Sequence, residues 1–436
     1  MATSDLIARD LAAVWHPFTQ HSLWGADEPL VIERGAGAYL YDTDGRAYLD
    51  GVSSLWVTVH GHGEPAINEA VRAQLDRLDH STFLGLTHEP GIRVAEQLLR
   101  IAPAGLSKVF FAGDGSSAVE AAIKIAYQAA TQRGEQRPLY VHVAEGYHGD
   151  TLGAVSLGGV ELFHATYRPL LIETRMVSSP GVLSGGQDRA SRAGQVLTEL
   201  RALLDREGDR VCAIVIEPLI QAAGGMLTHH ASFLVGVRQL CDQYGAAMLV
   251  DEVATGVGAT GRWFAVDHAA VEPDLMVVGK RLTGGVLPLS AVLARESIYE
   301  SFLGDAGSAR TFFHGHTYTA NPLSCAAALA NLALMHERGT VERAAQVGDR
   351  LGSLLAPIQA YDGVTEVRRL GTMTGIEVRS VGERTGFEVC QEARRRGVIV
   401  RPLGDVVVLM PPLGISDSEL DELSGVVDES IRKVVR

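Results

Sequence analysis

Residues 246–285 read AAMLVDEVATGVGATGRWFAVDHAAVEPDLMVVGKRLTGG and contain two similar units. In the first unit the apolar run 247–250 ends in Asp251, and in the second the apolar run 275–278 ends, one glycine later, in Lys280. Each run is short, apolar and bounded by turn residues, a pattern that predicts a buried strand. Each predicted strand therefore delivers one ionisable residue at its carboxyl end, which is the edge of an open α/β sheet where ligands bind.

A carboxylate and a lysine in this arrangement suit a site for pyridoxal 5'-phosphate (PLP). A lysine holds this cofactor as a Schiff base, and a carboxylate pairs with its pyridinium nitrogen. For an arbitrary pair of these residues, the simpler interpretation is that Asp251 caps a turn and Lys280 is solvated. The position of Lys280 directly after a short apolar strand and before Thr283, Gly284 and Gly285 favours the cofactor site.

Composition and charge limit the class of protein. The chain has 436 residues, 46% of them hydrophobic and 21% charged, enough for two or more domains that share a large core. A net charge of −14 disfavours binding to nucleic acid or to an anionic membrane. The four cysteines show no CxxC spacing, which argues against a disulfide framework or zinc site and for a reducing compartment. No signal peptide and no membrane-spanning run are readable, so we expect a soluble cytoplasmic protein.

The pattern along the chain predicts strands that alternate with helices from about residue 65. The earlier part, 1–60, is expected to form an N-terminal arm and small strands, with a hairpin turn at Asp44-Gly45. Residues 175–195 are rich in Ser, Gly and Arg and are expected to form a surface loop, while 325–436 are predicted as a C-terminal α+β domain. The predicted helices are 66–78, 91–101, 118–131 and 323–337, and the predicted strands outside the central pair are 108–111, 139–143, 213–216, 287–293, 364–369, 373–378 and 406–410.

Three other features carry candidate functional groups. The turn 113–117, GDGSS, opens a helix, where free N–H groups and the helix dipole form an anion site, although such a turn could equally be a plain N-cap. Tyr147 follows a predicted strand and is placed to stack on an aromatic ring or to lie at the edge of the core. Arg401 lies between apolar strands and could bind a substrate carboxylate bidentately or be a surface arginine.

Rival motifs are absent from the sequence. There is no G-x-S-x-G elbow, and the segment ending at Lys280 is no P-loop, because Asp274 and Arg281 break the pattern. Ala118 stands where a dinucleotide loop would need glycine. Metal binding is disfavoured, since no third and fourth ligand of definite spacing accompany the paired histidines His60, His62, His314 and His316.

On these residues the chain resembles a fold-type-I PLP enzyme of the class-III (ω-) aminotransferases over nearly its whole length. The segments VDEVATG and VVGKRLTGG, around Asp251 and Lys280, are specific to that class. The resemblance implies an α/β fold with a large PLP-binding domain, 61–324, built on a mostly parallel seven-stranded sheet. A small α+β domain would combine the N-terminal part, 1–60, with the C-terminal part, 325–436.

The resemblance also implies a set of cofactor contacts. Lys280 matches the Schiff-base lysine, Asp251 the pyridinium partner and Tyr147 the ring-stacking tyrosine. Thr317 matches a threonine that reaches the phosphate of the neighbouring subunit's cofactor, which implies a homodimer with active sites at the interface. Gln221 lies where a glutamine neighbours the cofactor's phenolic oxygen. The residues that match the phosphate loop are Gly115, Ser116 and Ser117.

The resemblance also implies a substrate site, because several segments match one branch of the class-III aminotransferases. The segments WHPFTQ, HSTFLGLTHEP, GYHGDTLGAVS, FFHGHTYTANPLSCA and VIVRPLGDVVVLMPPL resemble the enzymes that convert 8-amino-7-oxononanoate to 7,8-diaminononanoate in biotin synthesis. In that branch Arg401 would anchor the oxononanoate carboxylate. The residues that match the substrate site are Phe18, Trp56, Asp150, Gly315 and Arg401.

The identity of the amino donor stays open at this point. Enzymes that use S-adenosylmethionine usually carry the segments WHPY, SSWW and GFGRTG. In this chain Phe18 replaces the tyrosine of the first segment, Leu55 replaces the first tryptophan of the second, and Ala259 replaces the arginine of the third. WHPFTQ, the absence of Trp at position 55 and HGHT are more similar to the branch that uses L-lysine, and Ala259 fits neither branch. One alternative is another ω-aminotransferase acting on a diamine or ω-amino acid. A more distant alternative is a non-catalytic PLP- or nucleotide-binding protein.

Overall fold

The computed structural model describes residues 2–435, whose strands form four sheets. The predicted strands 139–143, 275–278 and 373–378 have the expected bounds. The strands are β1 (Ile32–Ala36), β2 (Tyr39–Asp42), β3 (Ala47–Asp50), β4 (Leu106–Ala112), β5 (Leu139–Val143), β6 (Thr174–Val177), β7 (Val211–Ile216), β8 (Ile220–Gln221), β9 (Leu227–Thr228), β10 (Ala247–Asp251), β11 (Leu275–Val278), β12 (Ser290–Arg295), β13 (Val364–Leu370), β14 (Met373–Val378), β15 (Val398–Ile399), β16 (Arg401–Leu403) and β17 (Val406–Leu409).

The central sheet has seven strands in the order β4-β12-β11-β10-β7-β5-β6. Strand β12 is antiparallel to both neighbours, and the other pairings are parallel. Met248 and Val250 of β10 belong to the apolar core on one face of the sheet, and Leu249 belongs to the core on the other face. Burial on both faces explains the uninterrupted apolar run. The predicted α/β fold with a mostly parallel seven-stranded sheet is confirmed.

Helices cover both faces of this sheet. The helix α6 packs on one face, and α9 and α10 pack on the other. The helices are α1 (Thr3–Ala13), α2 (His21–Trp24), α3 (Ser53–Trp56), α4 (Pro65–Arg77), α5 (Glu89–Ile101), α6 (Gly115–Gln132), α7 (Leu152–Ser156), α8 (Glu161–His164), α9 (Arg189–Glu207), α10 (Ser232–Tyr244), α11 (Glu296–Glu300), α12 (Pro322–Glu337), α13 (Thr340–Leu355), α14 (Thr385–Arg395) and α15 (Asp417–Val434).

The smaller sheets combine the two ends of the chain. Strand β15, from the C-terminal part, pairs in parallel with β3, which follows the predicted hairpin turn. A second four-stranded sheet has the order β13-β14-β17-β16, and α13, α14 and α15 pack around an apolar core shared with the first sheet. The division into 1–60, 61–324 and 325–436 stays a prediction, and its last boundary falls within α12.

Three predicted elements need correction. Residues 175–195 are not one surface loop, because β6 and the start of α9 fall in this range. Asp188 caps the start of α9, and the helix forms despite the Ser and Gly content of the segment. The GDGSS turn is shorter than predicted, since α6 already begins at Gly115, capped by Asp114. The strand predicted at 287–293 begins three residues later and ends two residues later, as β12. Among residues 2–435, no helix combines the length and the apolar character needed to cross a membrane.

Candidate active site

A cavity of about 190 Å³ opens where β7, β10 and β11 end. Six residues singled out from the sequence line it: Trp56, Gly115, Ser116, Tyr147, Asp251 and Lys280. Because β7, β10 and β11 are adjacent and parallel, their carboxyl ends meet at one edge of the sheet. The rest of its lining consists of Asp114, His148, Gly149, Glu217, Ala222, Ala223, Val253 and Ala254.

Asp251 is the last residue of β10 and is buried. Its Oδ1 accepts a hydrogen bond from the backbone N–H of Val253 at 2.9 Å, and its Oδ2 lies 2.8 Å from Nδ1 of His148. Burial opposes a charge on His148, but the hydrogen bond to Asp251 and its negative charge raise the pKa of His148 above its ordinary value. The contact with the imidazole therefore holds the Asp251 carboxylate in one orientation.

Lys280 lies in a 3₁₀ turn, Lys280–Thr283, that follows β11. Its backbone has a φ of 44°, in the left-handed region that a non-glycine residue adopts at a cost of about 1 kcal/mol or more. Its Nζ is 5.2 Å from the centre of the Trp56 ring. Burial lowers the pKa of Lys280 below its ordinary value, although the charge of Asp251 opposes this. A lowered pKa favours the neutral, nucleophilic amine.

The start of α6 provides an anion site. The side chain of Asp114 caps the helix by accepting from the N–H of Ser117 at 2.9 Å. A Cβ at Gly115 would lie 2.8 Å from Cγ1 of Val253, so only glycine leaves the space in front of the helix open. Ser116 Oγ accepts from the N–H of Asp150 at 3.2 Å. The helix N–H groups, Lys280 and Asp251 together suit the phosphate, the aldehyde and the ring nitrogen of PLP.

Tyr147 belongs to a row of aromatic side chains that extends from the cavity. Its hydroxyl donates to Asp150 at 2.9 Å, and burial together with that carboxylate raises the pKa of Tyr147. The Phe163 ring lies 5.9 Å from the Tyr147 ring and 5.7 Å from the exposed Phe18 ring, both in edge-to-face geometry. Phe163 was not singled out from the sequence, because its helix, α8, shows no motif.

Glu217 is a cavity residue that the sequence reasoning did not select. Its Oε1 accepts from the N–H of Tyr147 and its Oε2 from the N–H of Ala222, each at 3.0 Å. Burial raises the pKa of Glu217 to about 7. The signal that pointed to it was its position directly after the apolar strand β7, the same signal that selected Asp251.

Gln221 lies outside the cavity lining. Its side-chain carbonyl accepts from Ser179 Oγ, and its amide nitrogen donates to the carbonyl of Ala144 at 2.7 Å. Glu217, which directly follows β7, lines the cavity, and the contact of Gln221 with the cofactor stays a prediction.

The remaining predicted residues lie around the cavity or on the surface. Arg401 begins β16 and is half-buried, whereas Asp150 is exposed beside Tyr147. Gly315 and Thr317 lie on an exposed loop and do not line the cavity. The same loop places the His316 ring 3.3 Å from a Cβ built on Gly113. Within residues 2–435, no three His, Cys, Asp or Glu side chains form a group that could hold a metal ion.

Glu217 predicts a dependence of stability on pH. Its pKa is about 7 in the folded protein against an ordinary 4.5, so folding favours the protonated form. This stabilisation is complete below about pH 4.5 and is lost as the pH rises through about 7, an effect of about 3 kcal/mol. The melting temperature of the PLP-free wild type, minus that of Glu217→Gln, is expected to fall by about 3 °C from pH 5 to pH 8. A constant difference would contradict the prediction.

Comparisons with known proteins identify the family. The family model described as aminotransferase class-III matches residues 23–431. The adenosylmethionine-8-amino-7-oxononanoate aminotransferase of Nitratidesulfovibrio vulgaris is 48% identical, over 97% of this chain and 80% of that protein. The relative of the same name from Geobacter sulfurreducens is 43% identical, over 98% of this chain and 97% of that protein.

A solved structure agrees with these matches. The adenosylmethionine-8-amino-7-oxononanoate aminotransferase of Methanocaldococcus jannaschii superposes with a TM-score of 0.94 at 36% identity, and the match covers 99% of each chain. The predicted family and cofactor are thereby confirmed. The chain belongs to the class-III aminotransferases, which are PLP-dependent enzymes.

Proposed function

We propose that this enzyme moves an amino group from S-adenosylmethionine or L-lysine to 8-amino-7-oxononanoate, giving 7,8-diaminononanoate in biotin biosynthesis. The observation that carries the proposal is that the protein has both a site suited to PLP and an arginine suited to a substrate carboxylate. Lys280 and Asp251 share one cavity, and Arg401 has a half-buried guanidinium without a carboxylate partner among residues 2–435. The names of the relatives from N. vulgaris and M. jannaschii support the substrate.

Lys280 is the proposed acid and base of the reaction. PLP, when bound, supplies an electron-accepting ring joined to the nitrogen that is transferred. The Nζ of Lys280 removes the proton from the amino-bearing carbon of the donor, a task for which a neutral amine is needed. In the second half of the reaction the same Nζ returns a proton to the former keto carbon of the acceptor. The lowered pKa of Lys280 supports both roles.

Asp251 and His148 are proposed to hold a proton on the ring nitrogen of the cofactor. A buried carboxylate that contacts an imidazole keeps one orientation, because its two oxygens are held by Val253 and His148. Tyr147 is proposed to stack on the ring, and Glu217 fixes the backbone of Tyr147. Ser116, Ser117 and the start of α6 are proposed to bind the phosphate.

Arg401 is proposed to anchor the acceptor through its carboxylate. An arginine binds a carboxylate through two parallel hydrogen bonds, and burial of the guanidinium strengthens them. Arg401→Ala is expected to raise the KM for 8-amino-7-oxononanoate by about 10- to 100-fold with little change in kcat. Arg396→Ala, which removes an arginine paired with Glu392 and Glu429 instead, is the matched control. An unchanged KM would remove Arg401 from the site.

The identity of the donor depends on the walls of the cavity. Ala259 is buried in one apolar cluster with Trp56 and Ala254, both of which line the cavity. Its carbonyl is held by the N–H and hydroxyl of Thr372, each at 3.0 Å. Leu55 and Phe18 are exposed. The absence of a second tryptophan at position 55 favours L-lysine as the donor, whereas the small Ala259 fits neither donor branch.

The enzyme is proposed to act as a homodimer, in the cytoplasm, with Thr317 completing the neighbouring subunit's phosphate site. Support comes from the loop that carries Thr317, where Phe313 and Tyr318 expose 82% and 64% of their surface. Thr317→Ala is expected to weaken PLP retention by about tenfold while the sedimenting mass stays dimeric, since one hydrogen bond to an anion is lost. A monomeric wild type, or unchanged PLP retention, would contradict this assignment.

The function is tested by adding 7,8-diaminononanoate, the proposed product (also called 7,8-diaminopelargonic acid), to the purified yellow enzyme and recording its visible spectrum. Conversion of the PLP band to that of the pyridoxamine form is expected, because the product must react in the reverse direction. L-lysine and S-adenosylmethionine are then compared in the same cuvette. An enzyme that responds to other amines but not to diaminopelargonic acid would instead be a different ω-aminotransferase, the alternative that Ala259 favours.

A further inference from the structure

Arg281 directly follows Lys280 and is one of the largest fully buried side chains of the molecule. Its Nη1 donates to the carbonyl of Ala254 at 3.0 Å, whereas its Nε and Nη2 have no hydrogen-bond partner in the described part of the chain. Among residues 2–435 no carboxylate pairs with it. Burial lowers the pKa of Arg281 to about 9, so it carries its charge at neutral pH. A buried cation without a counter-charge is costly, and such groups are concentrated at functional sites.

The guanidinium connects the two chain segments that carry the proposed catalytic pair. Ala254 lies three residues after Asp251 and lines the cavity, so the Arg281 hydrogen bond joins the Asp251 segment to the lysine turn. The turn is held from its other side by the buried Asn331, whose Nδ2 donates to the carbonyls of Arg281 at 2.9 Å and Leu282 at 3.1 Å. These contacts hold the left-handed backbone of Lys280 in place.

The charged groups around Lys280 have opposing effects. Asp251, at the end of β10, and Glu217, at the end of β7, favour the ammonium form, although Asp251 is already paired with His148. On the lysine turn itself, Arg281 is the positive charge that favours the neutral form, in addition to burial. Because no carboxylate neutralises Arg281, its field acts on the neighbouring nitrogen at low effective dielectric.

We propose that Arg281 is a positioning residue for Lys280, whose buried, unpaired guanidinium keeps the lysine nitrogen toward its neutral form and ties the lysine turn to the Asp251 segment. Arg281 itself does not line the cavity. Its charge makes the amine of Lys280 available for proton transfer near neutral pH.

The test is a pH titration of the visible spectrum of the PLP-loaded enzyme, without substrate. The midpoint reports protonation of the nitrogen that Lys280 contributes. Arg281→Gln and Arg281→Met remove the charge, and both are expected to raise the midpoint by about one pH unit. Two neutral variants are used so that the test can still be made if one of them folds poorly.

Asn331→Ala is the matched control for loosening of the turn. It removes the two hydrogen bonds from Nδ2 to the turn but leaves every charge in place. A lower melting temperature with an unchanged midpoint is expected. The proposal is overturned if both neutral variants keep the wild-type midpoint, or if Asn331→Ala shifts it as far as they do.

The inference about Arg281 rests on the proposed role of Lys280. The same titration distinguishes a failure of the proposed function from a failure of the Arg281 proposal. A wild type that takes up no PLP, or whose visible band does not respond to pH, would count against the proposed function. A wild type that titrates, with neutral variants that match it, would count against Arg281 alone.

Discussion

Replacing Lys280 by alanine is expected to lower kcat for transamination by about 10⁴-fold or more, because the proton-transfer group and the covalent attachment are lost together. PLP binding is expected to persist, since the start of α6 and Asp251 remain in the cavity. The measurement is single-turnover conversion of bound PLP by an amine, followed at its visible band.

Lys108→Ala is the matched control for Lys280→Ala. Lys108 is an exposed lysine on β4 whose ammonium pairs with Glu296 at 3.2 Å, so its loss is expected to leave turnover unchanged. Substantial turnover by Lys280→Ala would mean that another base serves the reaction and that the proposed mechanism is wrong.

Replacing Asp251 by asparagine is expected to lower kcat by about 10³-fold, because a neutral amide no longer holds a proton on the ring nitrogen. The substitution also removes the hydrogen bond and charge that raise the pKa of His148, so that pKa is expected to fall. Asp251→Glu keeps the charge but moves it, and is expected to recover only part of the rate. The measurement is the rate of the half-reaction with the donor amine.

Asp267→Asn provides the matched control for Asp251→Asn. The carboxylate of Asp267 lies in the same connection between β10 and β11, outside the cavity lining, and accepts from the N–H of Phe264 at 2.9 Å. Loss of this carboxylate is expected to change stability more than turnover. A rate for Asp251→Asn within about tenfold of the wild type would refute the assignment of Asp251 to the ring nitrogen.

Much of the fold was readable from local pattern. Short apolar runs bounded by turn residues predicted β10 and β11, because strands buried on both faces have no polar interruptions. The bounds of β5 and β14 were also predicted correctly. Helices with mixed composition, such as α9 and α13, were missed, because their burial depends on the sheet they cover. The hairpin between β2 and β3 was predicted, whereas the parallel pairing of β3 with β15 joins segments too distant for any local signal.

The sequence by itself determined the positions of Asp251, Lys280 and the glycine at 115, since each follows a strand or opens a helix, and adjacent parallel strands end at one edge. Only the tertiary structure decided which side chains surround them. It brought His148 to Asp251 across 103 residues, put Glu217 rather than Gln221 in the cavity lining, and left Arg281 buried without a counter-charge from residues 2–435. The physical reason is that a strand end is a local property, whereas the partner of a buried charge depends on which loops meet around it.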